Sequence, residues 1–547
     1  MTQPSTKLPR AELLAPAGSP EKLKAAIDYG ADAVYLGTPD LSLRSRSEFT
    51  LEEVAEGIVY AHARGRKVYL TLNLFSHNDD IERLPQALET LNEVQPDGVI
   101  VADPGIFQLV QEQAPELPLH ISTQANVCSW LSVKFWERQG AALCVLAREV
   151  SFKELREIRE HCPDIALEAF VHGSMCMTYS GRCLLSNFMA ERGANQGNCA
   201  NSCRWTYKVH LQLKDGTLKE LEINQENEDL FDFFLEEECR PGELLPIVED
   251  RRGSYIMNSK DLCLMPKLDE LLSIGVDSLK IEGRNKSLYY VAITTRAYRM
   301  AIDAWYRDPE SWNSAHYMNE LNALPNRGYT LAFHEGRLTD LGHNYHSDAS
   351  LSTSEFAGII HTRDAEGIVI APRNKLIAGE VVEFVSPIWT QPILLRLYDF
   401  TLAAGGEVRE VVHGGTDQYF YIPYSVFDRL GPERASDALP VGTVLRKERH
   451  LNPVDKSRMG MDKTALNVEL GRFGQNVLTK RRSEYLKTME SNPKEAPRRG
   501  PQLGIDGCCG KGCNGCLIFA HDPAYAKARR VLAEKPIGEM FQHDMRE

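Results

Sequence analysis

Nowhere in its 547 residues does the chain hold a run approaching the roughly 18 apolar residues that a membrane helix needs, so no membrane association is expected. Its first residues, MTQPSTKLPRAELL, lack the apolar core of a secretory signal, which makes the cytoplasm the expected compartment. Positive charge is in deficit as well. The 62 Lys and Arg against 76 Asp and Glu leave a net charge of −14, which argues against a protein that grips a polyanion over its whole surface and leaves room for a local basic site. Three motifs are missing: no Gly-rich phosphate loop follows an apolar strand, and there is neither a G-x-S-x-G elbow nor an H-E-x-x-H pair. Their absence argues against a dinucleotide-binding sheet, a serine hydrolase of the elbow type and a zinc peptidase.

What is present is a regular alternation of short apolar strands with amphipathic segments. ELLAPAG (12–18), AVYLG (33–37), KVYLTLN (67–73), GVIVAD (98–103), LHISTQA (119–125), LCVLARE (143–149), LEAFVHG (167–173) and SLKIEG (278–283) are the eight strands. Near-continuous apolar strands separated by helices indicate a parallel sheet buried on both faces, most simply a closed (β/α)8 TIM-like barrel of the α/β class, with an open doubly wound sheet as the alternative. About a hundred residues separate the seventh strand from the eighth, far more than a barrel unit needs. That excursion carries four cysteines and the acidic run NQENEDLFDFFLEEEC (224–239), read as a solvated insertion. From about 354 to 447 the pattern changes to short alternating runs with Gly and Pro turns, a small antiparallel β-barrel or sandwich domain. The expected organisation is therefore a catalytic barrel with its insertion over 10–345, the β-domain over 350–450, a polar linker over 451–500 and a Cys-rich extension over 501–547.

Of 13 cysteines, eight fall into two tight groups. Cys176, Cys183, Cys199 and Cys203 are spaced C-x6-C-x15-C-x3-C, and Cys508, Cys509, Cys513 and Cys516 form CC-x3-C-x2-C. In a reducing compartment such groups read as metal ligands rather than disulfides. Four thiolates satisfy a structural zinc ion or an iron–sulfur cluster, and spacing alone does not choose. The first group sits at the carboxyl end of a barrel strand, where function is usually built, which favours a redox cluster facing the cavity. The second follows a linker and reads as an accessory metal or cluster site. Cys128, Cys144, Cys162 and Cys239 are expected to be core or surface residues, and Cys263 a reserve ligand.

Polar residues at strand ends form a second constellation: Asn73, Asp103, Gln124, Asn126, Arg148, Glu149, His172, Glu282 and Arg284. Buried parallel strands have little reason to end in such groups unless they face a cavity, although each alone could cap a helix. From this ring Gln124, Arg148, Glu149, His172, Glu282 and Arg284 are the expected catalytic set. Arg148, Arg284 and Lys286 could hold carboxylates or phosphates, the arginines being suited to bidentate contact. His77 and His120 are weaker candidates as ligands or acids. Basic runs at Lys480–Arg482 and Arg498–Arg499 are the expected local patches for a polyanion.

Residues 168–186, EAFVHGSMCMTYSGRCLLS, match E-x-F-x-x-G-[SA]-[LIVM]-C-x4-G-x-C-x-[LIVM]-S at every fixed position. This stretch resembles the collagenase-like family known as peptidase family 32 of unknown catalytic type. With ELLAPAG, YGADAVYLG, LHISTQAN, NQGNCANSCRW, YIMNSKDL and SLKIEGRNKSLYY, the resemblance runs from about residue 10 to 450 and points to the branch of that family that hydroxylates tRNA. It implies an iron–sulfur enzyme that adds a hydroxyl at carbon 5 of the wobble uridine with prephenate as co-substrate; related proteins act on ribosomal RNA cytidine or a ubiquinone precursor. It implies a cluster of the 4Fe–4S type on Cys176, Cys183, Cys199 and Cys203. Relatives that make ubiquinone take their fourth ligand further along, near Ser259 here, where this chain has NSKDL and supplies Cys203 instead. The implied partners are the tRNA anticodon loop and the machinery that assembles iron–sulfur clusters. A peptidase, a hydroxylase of another RNA and a non-catalytic RNA-binding scaffold are the alternatives.

Overall fold

The alternation of strands and helices closes on itself. In a computed structural model, the described residues are 9–37, 49–73, 76–82, 84–175, 259–336, 352–427 and 430–449, with strand segments at 210–212, 218–220, 233–236, 244–250 and 253–255. Cys176, Cys183, Cys199, Cys203, Cys239, the C-terminal cysteines Cys508, Cys509, Cys513 and Cys516, and both basic runs lie outside them. The chain divides into two units, Met1–Tyr207 with Tyr255–Met459, and Lys208–Ser254 with Gly460–Glu547.

The first unit holds the barrel. Strands β1 (Glu12–Pro16), β2 (Ala33–Leu36), β3 (Lys67–Leu72), β4 (Gly98–Val101), β5 (Leu119–Ile121), β6 (Leu143–Val145), β7 (Ala166–Gly173) and β8 (Ser278–Ile281) lie parallel in sequence order. β8 pairs with both β7 and β1, which closes the ring. Nearly every strand residue is buried, because helices cover the outside and side chains fill the inside. Local sequence starts the helices where the strands stop. Ser19, Thr50, Asp103, Ser129, Ser151 and Ser287 each accept a backbone N–H of the helix they precede, and Thr50 and Ser151 form capping boxes with Glu53 and Glu154. The large outer core lies between strands and helices, whereas a small apolar group of Leu14, Ala33, Tyr35, Tyr69 and Ile100 packs inside.

The long excursion between β7 and β8 returns beside its point of departure. A short strand, Asp261–Cys263, runs antiparallel to the end of β7, with Leu262 opposite Gly173 and Cys263 opposite His172. A buried ion pair between Arg327 and Asp261 fastens this return. The second unit contributes two described antiparallel pairs, His210–Gln212 with Leu218–Glu220 and Phe233–Glu236 with Leu244–Asp250, so the acidic run contains a strand.

The small domain is a curled eight-stranded antiparallel sheet, in the order Ile393–Arg396, Val381–Val385, Val444–Glu448, Ser354–Arg363, Gly367–Pro372, Phe420–Pro423, Phe400–Leu402 and Val408–Arg409. Its own core includes Ile368, Ile370, Phe384, Phe400 and Phe420. It is bound to the barrel helices by buried polar contacts. The Tyr29 phenol donates to the Val385 carbonyl at 2.7 Å and accepts from Val444 N–H at 2.9 Å, and Arg296 donates to the carbonyls of Ser386, Trp389 and Thr390. Among the described residues no helix is long and apolar enough to cross a membrane.

Candidate active site

Inward-facing residues of β1, β3, β7 and β8 build a charged layer at mid-barrel. Glu168 is fully buried, and its two carboxylate oxygens accept from Lys280 Nζ at 2.7 Å and from Ser278 Oγ at 3.0 Å. The register that sets Ser278 opposite Glu168 brings these groups together. Beneath them Glu12 accepts from the Tyr69 phenol at 2.9 Å and from Lys67 at 3.3 Å. His120, edge-on to Tyr69 at 4.6 Å, is pulled down to about 4 by burial and stays neutral. Lys280 also lies 4.5 Å from the Tyr35 ring and 5.7 Å from the Phe170 ring.

Above this layer, at the carboxyl ends of the strands, the mouth is lined by several residues expected from sequence. Arg284 donates to Thr71 Oγ1 at 3.1 Å and lies 5.7 Å from the Tyr35 ring. Burial lowers its value from that of an ordinary guanidinium. Arg148, 8% exposed, lies 4.1 Å over the Phe170 ring and donates to the Ser174 carbonyl at 2.8 Å. Glu282 Oε2 accepts from Ser174 N–H at 3.2 Å. Asn73 donates to Ser122 Oγ at 3.3 Å, and Gln124 is buried one turn beyond. Glu149 follows Arg148 directly. Two glycines allow the close approach of neighbouring loops. A Cβ at Gly18 would strike the Arg284 carbonyl, and Gly173, at φ +131°, has the Glu282 side chain where a Cβ would stand.

Ser174 is therefore gripped from both sides, by Arg148 from the loop after β6 and by Glu282 just past β8, and Met175 behind it is buried. Cys176 is the next residue in the chain. The mouth thus fixes the point from which the cysteine-bearing segment departs.

Other expected residues lie elsewhere. His172 is not among the mouth arginines. The register shifts between Lys280 and Ile281, and the His172 ring packs among Tyr290, Tyr298 and Tyr329 at 5.9, 5.7 and 5.3 Å, where burial pulls it down to about 3. Lys286 lines a small pocket with His172, Asp261 and Tyr329. Asp103 caps the helix Pro104–Gln113 through Gly105 and Ile106 N–H, and Asn126 closes a short turn in the left-handed region at φ 53°. His77 is exposed. Cys263 is buried against Tyr298 and Met318 and its thiol is pushed up to about 12, as burial also does for Cys144. Sequence reasoning did not single out Lys280, Tyr35 or the partnership of Glu168 with Lys280. The available signal was a charged residue in the middle of each of two otherwise apolar strands.

The model of Peptidase family U32 matches residues 18–343, more than half of the chain. The chain belongs to this family. It is 41% identical over 397 residues to the tRNA hydroxylation protein P of Escherichia coli, covering 69% of this chain and 86% of that protein. It is 38% identical over 386 residues to the tRNA hydroxylation protein P1 of Bacillus subtilis, covering 70% and 84%. A more distant relative, the 23S rRNA 5-hydroxycytidine C2501 synthase of Escherichia coli, is 32% identical over 295 residues, covering 54% of this chain and 40% of that one. Relatives of this chain are thus named for the hydroxylation of tRNA or for hydroxycytidine synthesis in rRNA, whereas the family model carries a peptidase label.

Proposed function

We propose that this protein hydroxylates carbon 5 of the wobble uridine of tRNA at the mouth of its barrel, with prephenate as co-substrate. The observation that carries the reading is the 41% identity to a tRNA hydroxylation protein along 86% of that protein's length. The mouth supplies a fitting place. It is polar, walled by Tyr35 and Phe170, and holds the stem of the cysteine segment through Arg148 and Glu282. An anticodon loop offers unpaired bases that can leave their stack and enter such a mouth.

The donor set Cys176, Cys183, Cys199 and Cys203 fits a 4Fe–4S cluster in chemistry and number. Bound there, the cluster supplies one-electron redox chemistry. The chain's own residues do the rest: Arg148 and Glu282 fix the stem, Arg284 and Arg148 present guanidinium groups to the mouth, and the buried Glu168–Lys280 ion pair fills the barrel beneath. Loading of the cluster draws on the cellular iron–sulfur assembly machinery, and the reaction belongs to the cytoplasm. The C-terminal Cys508, Cys509, Cys513 and Cys516 form an accessory metal site.

A peptidase reading has less support. Burial raises the thiols of Cys128, Cys144, Cys162 and Cys263, the opposite of what a cysteine nucleophile needs. The test is reconstitution with purified, anaerobically prepared protein, unmodified tRNA and prephenate. Hydroxyuridine should appear in the nucleoside digest and should be lost in Cys183→Ala; peptide cleavage with no change in tRNA would overturn the reading.

A further inference from the structure

Buried cations in this protein come with an acid. Lys280 has Glu168 at 2.7 Å, Arg296 has Glu320 at 3.7 Å, Arg327 has Asp261, and Arg446 has Glu320 and Glu383. Arg148 alone among the buried cations of the described residues has none. Among the described residues its buried Nε has no hydrogen-bond partner, and its guanidinium donates to a carbonyl, that of Ser174. Arg284, withdrawn from solvent at the end of β8, is the same in kind: it holds a threonine hydroxyl and faces a tyrosine ring, with no carboxylate in ion-pair range among the described residues. The carboxylate of Glu282 beside them is engaged by Ser174 N–H. Both guanidinium groups bear on the same phenol, that of Tyr35, whose environment also includes Glu168 and Glu282.

A desolvated charge left without a counter-ion is costly, and the cost is recovered when a ligand brings the missing charge. Two arginines converging on one mouth make a receptor for two anionic groups, and the planar guanidinium fork matches carboxylate geometry. The flanking rings of Tyr35 and Phe170 are apolar walls for a carbon skeleton held between the two charges.

We infer that Arg148 and Arg284 form a clamp for a small dicarboxylic acid, one carboxylate to each guanidinium, with the acid lodged between Tyr35 and Phe170. This rests on the reading of the mouth as the active site and assigns its co-substrate pocket to two residues. The acid, rather than an RNA phosphate, is the occupant because both arginines lie at the ends of barrel strands and reach inward to Thr71 and Phe170. The backbone of a folded RNA stays at the rim.

Direct binding tests the clamp independently of turnover. Holoprotein carrying its iron is titrated calorimetrically with prephenate, a dicarboxylate, and separately with tRNA and with inorganic phosphate. Arg148→Lys and Arg284→Lys, which keep the charge and lose the fork, should each weaken prephenate about 10- to 100-fold. Their tRNA affinity and iron content should stay at the wild-type level. Prephenate should also protect Arg148 and Arg284 of the unaltered protein from phenylglyoxal, mapped by peptide mass spectrometry; this arm holds even where a variant folds poorly. Unweakened prephenate binding in both variants, or unprotected arginines, overturns the clamp. So does a loss of tRNA affinity or of iron in its place, which would assign the guanidinium groups to RNA phosphates or to the cluster thiolates. A wild-type protein that hydroxylates tRNA but binds no prephenate refutes the clamp and the co-substrate and leaves tRNA hydroxylation standing. One that binds prephenate through both arginines and leaves tRNA unmodified does the reverse.

Discussion

At mid-barrel, Lys280 and Glu168 meet at 2.7 Å with Ser278 completing the carboxylate's contacts, while one layer higher Arg148 and Arg284 have no carboxylate in ion-pair range among the described residues. The two layers use the same kinds of side chain on neighbouring strands. The lower layer satisfies itself, whereas under the proposed clamp the upper one is completed by an anion supplied by a ligand. On that proposal the difference separates a layer that holds the barrel together from a layer that works on a substrate, and substitutions in the two should behave oppositely.

The largest effect is expected in the lower layer. Glu168→Leu leaves Lys280 buried and unpaired, and breaking a buried pair in this way costs about 3–5 kcal/mol. Urea unfolding at neutral pH should show that loss. A variant as stable as wild type would mean that Lys280 finds another partner and that the lower layer is not a structural pair.

Next comes acid. His172 in the folded protein is pulled by burial to about 3, below the ordinary 6.5. Between these values the unfolded chain takes up a proton that the folded chain refuses. Stability on this account is whole above pH 6.5 and falls as the pH drops toward 3, by about 1.4 kcal/mol per pH unit. His172→Gln should therefore flatten the dependence of unfolding free energy on pH between 6 and 4.5 by one proton. An unchanged slope would show that His172 is already charged in the fold and belongs with the working residues of the mouth.

These tests bear on how much the sequence could disclose. The barrel was legible because eight apolar strands, six of them followed by a Ser, Thr or Asp at the start of a helix, leave few other arrangements. Arg148, Arg284 and Glu282 were legible as polar residues at strand ends. The Lys280–Glu168 pair was not. It joins residues 112 positions apart, and nothing in either strand alone says that β7 and β8 will be neighbours in the register that unites them. His172 was misleading for a related reason: strict alternation from Glu168 and Phe170 would aim it inward, and the irregular register at Ile281 places it among the tyrosines instead. Asp103 reads the same in sequence whether it caps a helix or serves a site, and only its contacts with Gly105 and Ile106 decide.

That last assignment gives a smaller prediction. Asp103→Ala removes a helix cap and should cost about 1 kcal/mol of stability with tRNA hydroxylation unaffected. A fall in hydroxylation without a fall in stability would return Asp103 to the mouth.

The smallest effect on stability is expected where the effect on function is greatest. Arg284→Met removes a charge that has no acid partner among the described residues, so thermal unfolding should shift little, by roughly 1 kcal/mol or less in either direction. Hydroxylation at limiting prephenate should fall at least about tenfold. A large stability loss with full activity would make the mouth a second structural layer and erase the distinction between the two.

The most direct measurement is mass spectrometry of tRNA nucleosides from cells with the gene, without it, and without it but carrying the wild-type or the Cys183→Ala chain. The account predicts that 5-hydroxyuridine or its derivatives disappear on deletion and return only with the wild-type chain. Hydroxylated nucleosides that persist at wild-type levels after deletion, or that return in full with Cys183→Ala, would contradict it.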